Sequence, residues 1–200
     1  LVRNAVQYAL LALLYQLAQS GASGGLVDLL ILRDETGAYN GYSGDMSSII
    51  AALGFIGGAL AVWSTAKLLI TKNKEDMHLS HLKKEGKAKY ALLVAATIGA
   101  VIGFNLLFEL LGVTNKSEAY TEVATQQYSA HFIVGILVFG FISPIAEELL
   151  FRGVIYGYLR RFMDIKLAIA LSALIFGVYH MNYVQGVYGF LIGCLMAYAY

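Results

Sequence analysis

Hydrophobic residues run along the chain in long blocks, separated by shorter polar segments that are rich in glycine or lysine. A helix needs roughly 20 apolar residues to cross a bilayer core, and backbone groups in lipid must pair internally, so these blocks predict helices rather than strands. Six blocks fit this description: 4–19, 47–70, 90–112, 131–159, 166–182 and 184–200. The pattern therefore predicts an all-α, polytopic bundle of about six transmembrane helices.

The two ends of the chain add a further expectation. The first block is short and contains Gln7, Gln16 and Gln19. It could be a signal peptide, but Arg3 is the only basic residue in its N-terminal flank, which favours a retained helix. The chain starts without methionine and stops inside an apolar run at Tyr200. We expect both ends to be trimmed, with a further helix in the natural chain.

Lysine and arginine are unevenly distributed among the polar segments. Six lysines lie in 71–89 and four basic residues in 152–166, whereas the 20–46 and 113–130 loops carry one basic residue each. Cytoplasmic loops are enriched in these residues. The bias predicts a multi-pass protein of the cell membrane with a cytoplasmic N-terminus.

Composition agrees with this prediction. Hydrophobic residues make up 58% and charged residues 14% of the chain, and the mean hydropathy is +0.66, whereas soluble domains carry about 25% charged residues. We expect a single integral-membrane domain over 1–200 with the lipid bilayer as a partner. The net charge of +1 gives no reason to expect nucleic acid, and the single cysteine, Cys194, excludes an internal disulfide.

Glycine spacing indicates where helices approach one another. Small residues four apart let two membrane helices pack closely. Three pairs have this spacing: Gly54 and Gly58, Gly99 and Gly103, and Gly189 and Gly193. We interpret them as packing contacts.

Ionisable residues inside membrane helices cost about 2.5–3.5 kcal/mol each and usually serve a function or have a partner. Lys67 and Glu109 lie near helix ends, where they can reach an interface, and His131 begins the 131–159 block. The remaining candidates lie deeper in their blocks: Glu147, Glu148 and His180.

Glu147 and His180 flank a turn centred near 163–164, each sixteen to seventeen residues away. At about 1.5 Å per residue, a helical hairpin would place both at a similar depth, roughly 25 Å from the turn. Pro144 removes a backbone hydrogen bond just before the glutamates and is expected to bend the helix there.

The two adjacent glutamates are expected to differ in charge and role. Glu148 precedes Arg152 by four residues, the favourable order for a helical ion pair, whereas Glu147 points about 100° away and lacks that partner. Two neighbouring carboxylates in an apolar medium resist being charged together, so one would orient and the other transfer protons. The structural alternative is an ion pair that locks helices together, with His180 as a packing residue.

Two motifs resemble a known family. "EELLFR" at 147–152 resembles the EExxxR motif, and "FGVYH" at 176–180 the FxxxH motif, of the CPBP family of intramembrane CAAX-prenyl-proteases and bacteriocin-processing (Abi) proteins. The glycine-rich segment that follows also fits, so the resemblance covers about 130–200.

The resemblance implies an all-helical fold with a water-accessible cavity and glutamate-dependent peptide hydrolysis. It implies that Glu147 is the general base, Glu148 its neighbour, Arg152 an orienting residue, and His180 an oxyanion stabiliser, with Phe176 as an aromatic wall. The substrate would be a peptide or protein, either prenylated or a secreted-peptide precursor. The family usually adds a second histidine and an asparagine or aspartate from a later helix, and nothing follows Tyr200 here.

Three other functions stay open. A zinc-dependent version would use the same carboxylates and histidine, although no HExxH spacing is present, so no cofactor is the leading expectation. A non-catalytic peptide-binding or bacteriocin-immunity protein of the same fold is the main alternative. A transporter would show internal repeats, and the two halves of the chain show no convincing similarity.

Overall fold

A computed structural model describes residues 2–31, 44–76 and 86–200. All regular secondary structure in these residues is helical, and they contain no strand, which confirms the all-α prediction. Seven helices are described: α1 Val2–Ile31, α2 Gly44–Asp76, α3 Lys87–Leu110, α4 Glu118–Tyr128, α5 Phe132–Leu159, α6 Ile165–Tyr179 and α7 Tyr183–Ala199.

Three of the described helices, α2, α3 and α5, are long and apolar enough to cross a membrane. The shorter apolar helices α6 and α7 have 15 and 17 residues. At about 1.5 Å per residue, neither matches a hydrocarbon core of about 30 Å by length alone. The chain is therefore a membrane protein. Within the described residues, three of the six predicted spans are both long enough and apolar enough to cross a membrane.

Helix boundaries differ from the sequence prediction in two places. α1 continues to Ile31, beyond the predicted end at residue 19. The glycine-containing stretch after residue 19 is followed at once by another apolar run, and the helix includes both. α4 occupies part of the predicted 113–130 loop. The rest of the predicted 20–46 loop, at 32–43, and residues 77–85 of the lysine-rich segment lie outside the described residues.

The described residues form two compact units, and the single-domain prediction stays a prediction. The first unit draws on 1–70 and 123–154. In it, α1 and α2 pack antiparallel through the predicted glycine pair: Gly54 faces Ser23, and a Cβ at Gly58 would lie 3.1 Å from the Tyr15 carbonyl oxygen. Close helix approach at these glycines confirms their predicted packing role.

In the same unit, α2 and α5 lie side by side and run in the same direction. Gly44, the first residue of α2, contacts Ser129 three residues before α5 begins, and a Cβ at Gly153 would lie 2.7 Å from Ile70 Cδ1 farther along both helices. The backbone N–H of His131 donates to Asp45 Oδ1 at 2.6 Å, and the His131 ring also contacts this carboxylate. His131 thus lies at the start of α5.

The second unit draws on 71–122 and 155–200 and is built around the α6–α7 hairpin. A Cβ at Gly193 would lie 3.1 Å from Ala173, and one at Gly189 would lie 3.3 Å from the His180 ring, which confirms that this glycine pair packs. For Gly99 and Gly103 no described residue lies within 4 Å of a Cβ at either position, so the packing role of this pair stays a prediction.

This contrast gives a stability test in one unit. Gly177→Ala would place a Cβ 2.5 Å from the backbone oxygen of Gly186, which cannot move aside as a side chain can. We expect a loss of about 2 kcal/mol, since overpacking costs about 1–3 kcal/mol, and a melting temperature lower by roughly 4–8 °C. Thermal unfolding of the detergent-solubilised protein measures the change.

The matched control is Gly103→Ala, the same substitution in α3. Its Cβ meets no described atom within 4 Å, and alanine is a better helix former than glycine by about 1 kcal/mol. The control should melt at or above the wild-type temperature. Equal destabilisation by both substitutions would contradict the α6–α7 packing described above.

Candidate active site

Glu147 and Glu148 lie in the middle of α5, in a short α-helical segment between two π-helical stretches. Ile136–Ile142 and Leu149–Tyr156 have π-helical geometry, and Ser143–Glu148 between them is α-helical. Short π stretches inside α-helices are frequent at functional sites. The change of helical geometry therefore falls on both sides of the glutamates.

Pro144 explains the wider turn that precedes it. A proline ring clashes with the carbonyl group four residues back in an α-helix and offers no backbone N–H. Here the N–H of Ser143 donates five residues back, to the Val138 carbonyl oxygen. The disturbance predicted at Pro144 thus takes the form of a π turn.

Glu147 is held by a residue that the sequence analysis did not single out. The Ser143 hydroxyl donates to Glu147 Oε1 at 2.8 Å, and Ser143 is buried. The two residues are four apart in the α-helical segment, so they share a face. The four-residue spacing between Ser143 and Glu147 is the sequence feature that would have predicted this hydrogen bond.

Glu148 forms the ion pair that its spacing predicts. Its Oε1 lies 3.3 Å from Arg152 Nε, and the Arg152 side chain is 1% exposed while that of Glu148 is 29% exposed. A buried guanidinium needs an opposite charge close by, because removing one partner of a buried pair costs about 3–5 kcal/mol. The pair thus fixes Glu148 beside Arg152, while Glu147 is oriented by Ser143.

His180 lies in the second unit, at the C-terminal end of α6. Its Nδ1 is 2.9 Å from the Phe176 carbonyl oxygen, and the two rings meet edge to face with centroids 4.8 Å apart. A carbonyl oxygen can only accept, so Nδ1 carries the proton of this hydrogen bond. The other nitrogen, Nε2, is then an acceptor in the neutral ring and a donor only in the imidazolium.

Asn182 shapes the turn that follows His180 and is a second residue that the sequence analysis missed. Its Oδ1 caps α7 by accepting from the Gln185 N–H at 2.9 Å, and its Nδ2 donates to the His180 carbonyl oxygen at 3.3 Å. Between them Met181 has a φ of 58°, a left-handed conformation. An apolar groove of about 470 Å³, lined in part by Val178 and Phe190, borders this turn.

The structure thus brings Glu147, Glu148 and Arg152 together on one helix of the first unit, and places His180 beside Phe176 in the second. Lys67 and Glu109 are exposed, in keeping with the interfacial positions expected for them. Across the described residues, no group of three or more His, Cys, Asp and Glu side chains is arranged to hold a metal ion.

A carboxylate pair inside an apolar helix that is long enough to cross a membrane marks a candidate functional site of a membrane protein. Residues 129–200 match the family model described as type II CAAX prenyl endopeptidase Rce1-like. This match confirms that the C-terminal region resembles the CAAX-protease group, over nearly the range that its two motifs indicate. No curated protein and no solved structure matched the chain significantly.

Proposed function

We propose that this chain is an intramembrane endopeptidase of the CAAX-protease and bacteriocin-processing type. The observation that carries the proposal is the arrangement of Glu147 and Glu148, which are held separately by Ser143 and Arg152 within an apolar helix. The match of 129–200 to an endopeptidase family supports the same reaction class. The substrate would be a membrane-associated peptide or protein, either prenylated or a secreted-peptide precursor.

In the proposed reaction, Glu147 takes a proton from water as the water oxygen bonds to the carbonyl carbon of the substrate. The resulting oxyanion accepts a hydrogen bond from the imidazolium form of His180. As the tetrahedral intermediate collapses, the C–N bond breaks and Glu147 passes its proton to the departing amine. Glu148 and Arg152 orient the helical turn that carries the base.

We also propose that the protein lies in the cell membrane with its N-terminus in the cytoplasm. α2 and α5 run in the same direction in the first unit, as an alternating topology requires of them. α2 ends with Lys72 and Lys74, and α5 is followed by Arg160 and Arg161. Basic residues at these two ends favour the cytoplasmic side for both.

Cleavage by the purified chain in liposomes tests the function. Two peptides are offered, one prenylated with a C-terminal CAAX sequence and one with a secreted-peptide leader, and mass spectrometry identifies the new termini. We expect one internal cut, at an unchanged rate in the presence of a chelator, because the proposed base is a carboxylate rather than a metal-bound water. Chelator-sensitive cleavage would favour the zinc-dependent version instead.

A non-catalytic peptide-binding or immunity protein of the same fold would give a different result. Both peptides would be recovered intact, and at least one would stay bound to the liposomes that contain the protein. Bound but uncut peptide would therefore contradict the endopeptidase proposal and support this alternative.

A further inference from the structure

The hydroxyl group of Ser143 in α5 donates its hydrogen bond to a carboxylate rather than to the backbone. It is 8% exposed, and its Oγ donates to Glu147 Oε1 at 2.8 Å. Serine in a helix can instead donate to a backbone carbonyl three or four residues back. Ser172, for example, donates to the Ile169 carbonyl oxygen at 3.1 Å.

Local helix geometry makes the Ser143 contact possible. Residues four apart share a face in an α-helix, where they are offset by about 40°. The α-helical segment Ser143–Glu148 is just long enough to include both residues, and π-helical stretches begin or end at each side.

The contact also distinguishes the two oxygens of Glu147. Ser143 has one hydroxyl proton and donates it to Oε1, so this contact leaves Oε2 unengaged by the serine. A hydrogen bond to the charged form of a carboxylate favours that form. The serine therefore restrains the carboxylate rotamer, supports its ionised state and leaves Oε2 to receive a proton.

We infer that Ser143 is a positioning residue for the general base, which holds Glu147 by Oε1 so that Oε2 faces the attacking water. This inference rests on the proposed function of Glu147. It adds a residue that lies outside the two motifs and acts only through the glutamate. Ser143 touches neither the substrate nor the reacting water in this assignment.

Three variants of the membrane-inserted protein test the inference. Ser143→Ala should lower kcat by about 10-fold, the effect of losing one hydrogen bond to a charged group, with KM within about twofold of wild type. The acid side of its pH–rate profile should move to higher pH, because the carboxylate loses a donor that favours its charged form. Ser143→Thr keeps the hydroxyl and should restore most of kcat and the wild-type profile.

Ser172→Ala is the matched control, since it also removes a buried hydroxyl but one that donates to backbone. Its kcat and pH profile should equal those of wild type. Wild-type kcat and pH profile in Ser143→Ala, with cleavage still lost in Glu147→Gln, would overturn the positioning role while leaving the proposed function intact.

An activity-independent measurement separates the two proposals further. Infrared difference spectra between wild type and Glu147→Gln isolate the Glu147 carboxyl bands in substrate-free liposomes. These bands should shift in Ser143→Ala and keep their wild-type position in Ser143→Thr. Unshifted bands in Ser143→Ala would overturn the inference even if no peptide is cut, whereas the absence of any cleavage by wild type would contradict only the endopeptidase function.

Discussion

Replacing Glu147 by glutamine is expected to slow peptide hydrolysis by about 10²–10⁴-fold, the usual contribution of a general base. The amide has the shape of the carboxyl group, and its oxygen can still accept the hydrogen bond that Ser143 now donates to Oε1 at 2.8 Å. It cannot take a proton from water. The variant should therefore stay folded and inserted while the chemical step fails.

Single-turnover cleavage in liposomes measures this loss directly, because it isolates the chemical step from product release. Glu109→Gln makes the same substitution at an exposed glutamate near the end of α3 and should cleave at the wild-type rate. Melting temperatures of the two variants establish that both are folded. Wild-type cleavage by purified Glu147→Gln would remove Glu147 from the reaction.

Local rules suffice for several features of this protein. Long apolar blocks predict helices because a bilayer offers no other partner for the backbone, and the described residues are helical. The four-residue spacing predicts the Glu148–Arg152 ion pair, which is present. The contact between Ser143 and Glu147 follows the same spacing rule and could have been predicted in the same way.

Other features depend on what lies opposite a residue, which spacing does not reveal. Gly99 and Gly103 have the same spacing as Gly189 and Gly193, yet no described atom lies close to a Cβ at the first pair, whereas the second pair packs on α6. Pro144 predicts a disturbance of the helix but not its form. A bend and a π turn can each relieve the proline clash, so the proline alone does not specify the geometry.

The turn after His180 could be predicted from the sequence only in part. Asn182 with Gln185 three residues later is a helix-start pattern of the kind that caps backbone N–H groups, and it does cap α7. The left-handed conformation of Met181 had no such indication, because methionine rarely adopts it. The ring orientation of His180 likewise follows from a backbone carbonyl, that of Phe176, which no sequence motif specifies.

Replacing His180 by alanine is expected to slow cleavage by about 10²–10³-fold, as the loss of one oxyanion donor does in other enzymes. The hydrogen bond from Nδ1 to the Phe176 carbonyl oxygen makes this expectation dependent on pH. Nε2 can donate to an oxyanion only when the ring is an imidazolium. The wild-type rate should therefore fall on the alkaline side as His180 loses its proton.

His180→Gln provides the decisive comparison, because its amide donates at every pH. This variant should keep part of the activity and lose the alkaline decline, whereas His131→Ala, at an exposed histidine, should keep the wild-type rate and profile. If His180→Gln is as inactive as His180→Ala, and the wild-type rate falls on the acid side instead, Nε2 acts as a proton acceptor. That result would overturn the oxyanion role while keeping His180 in the reaction, since an imidazole held by Phe176 through Nδ1 has only these two uses for Nε2.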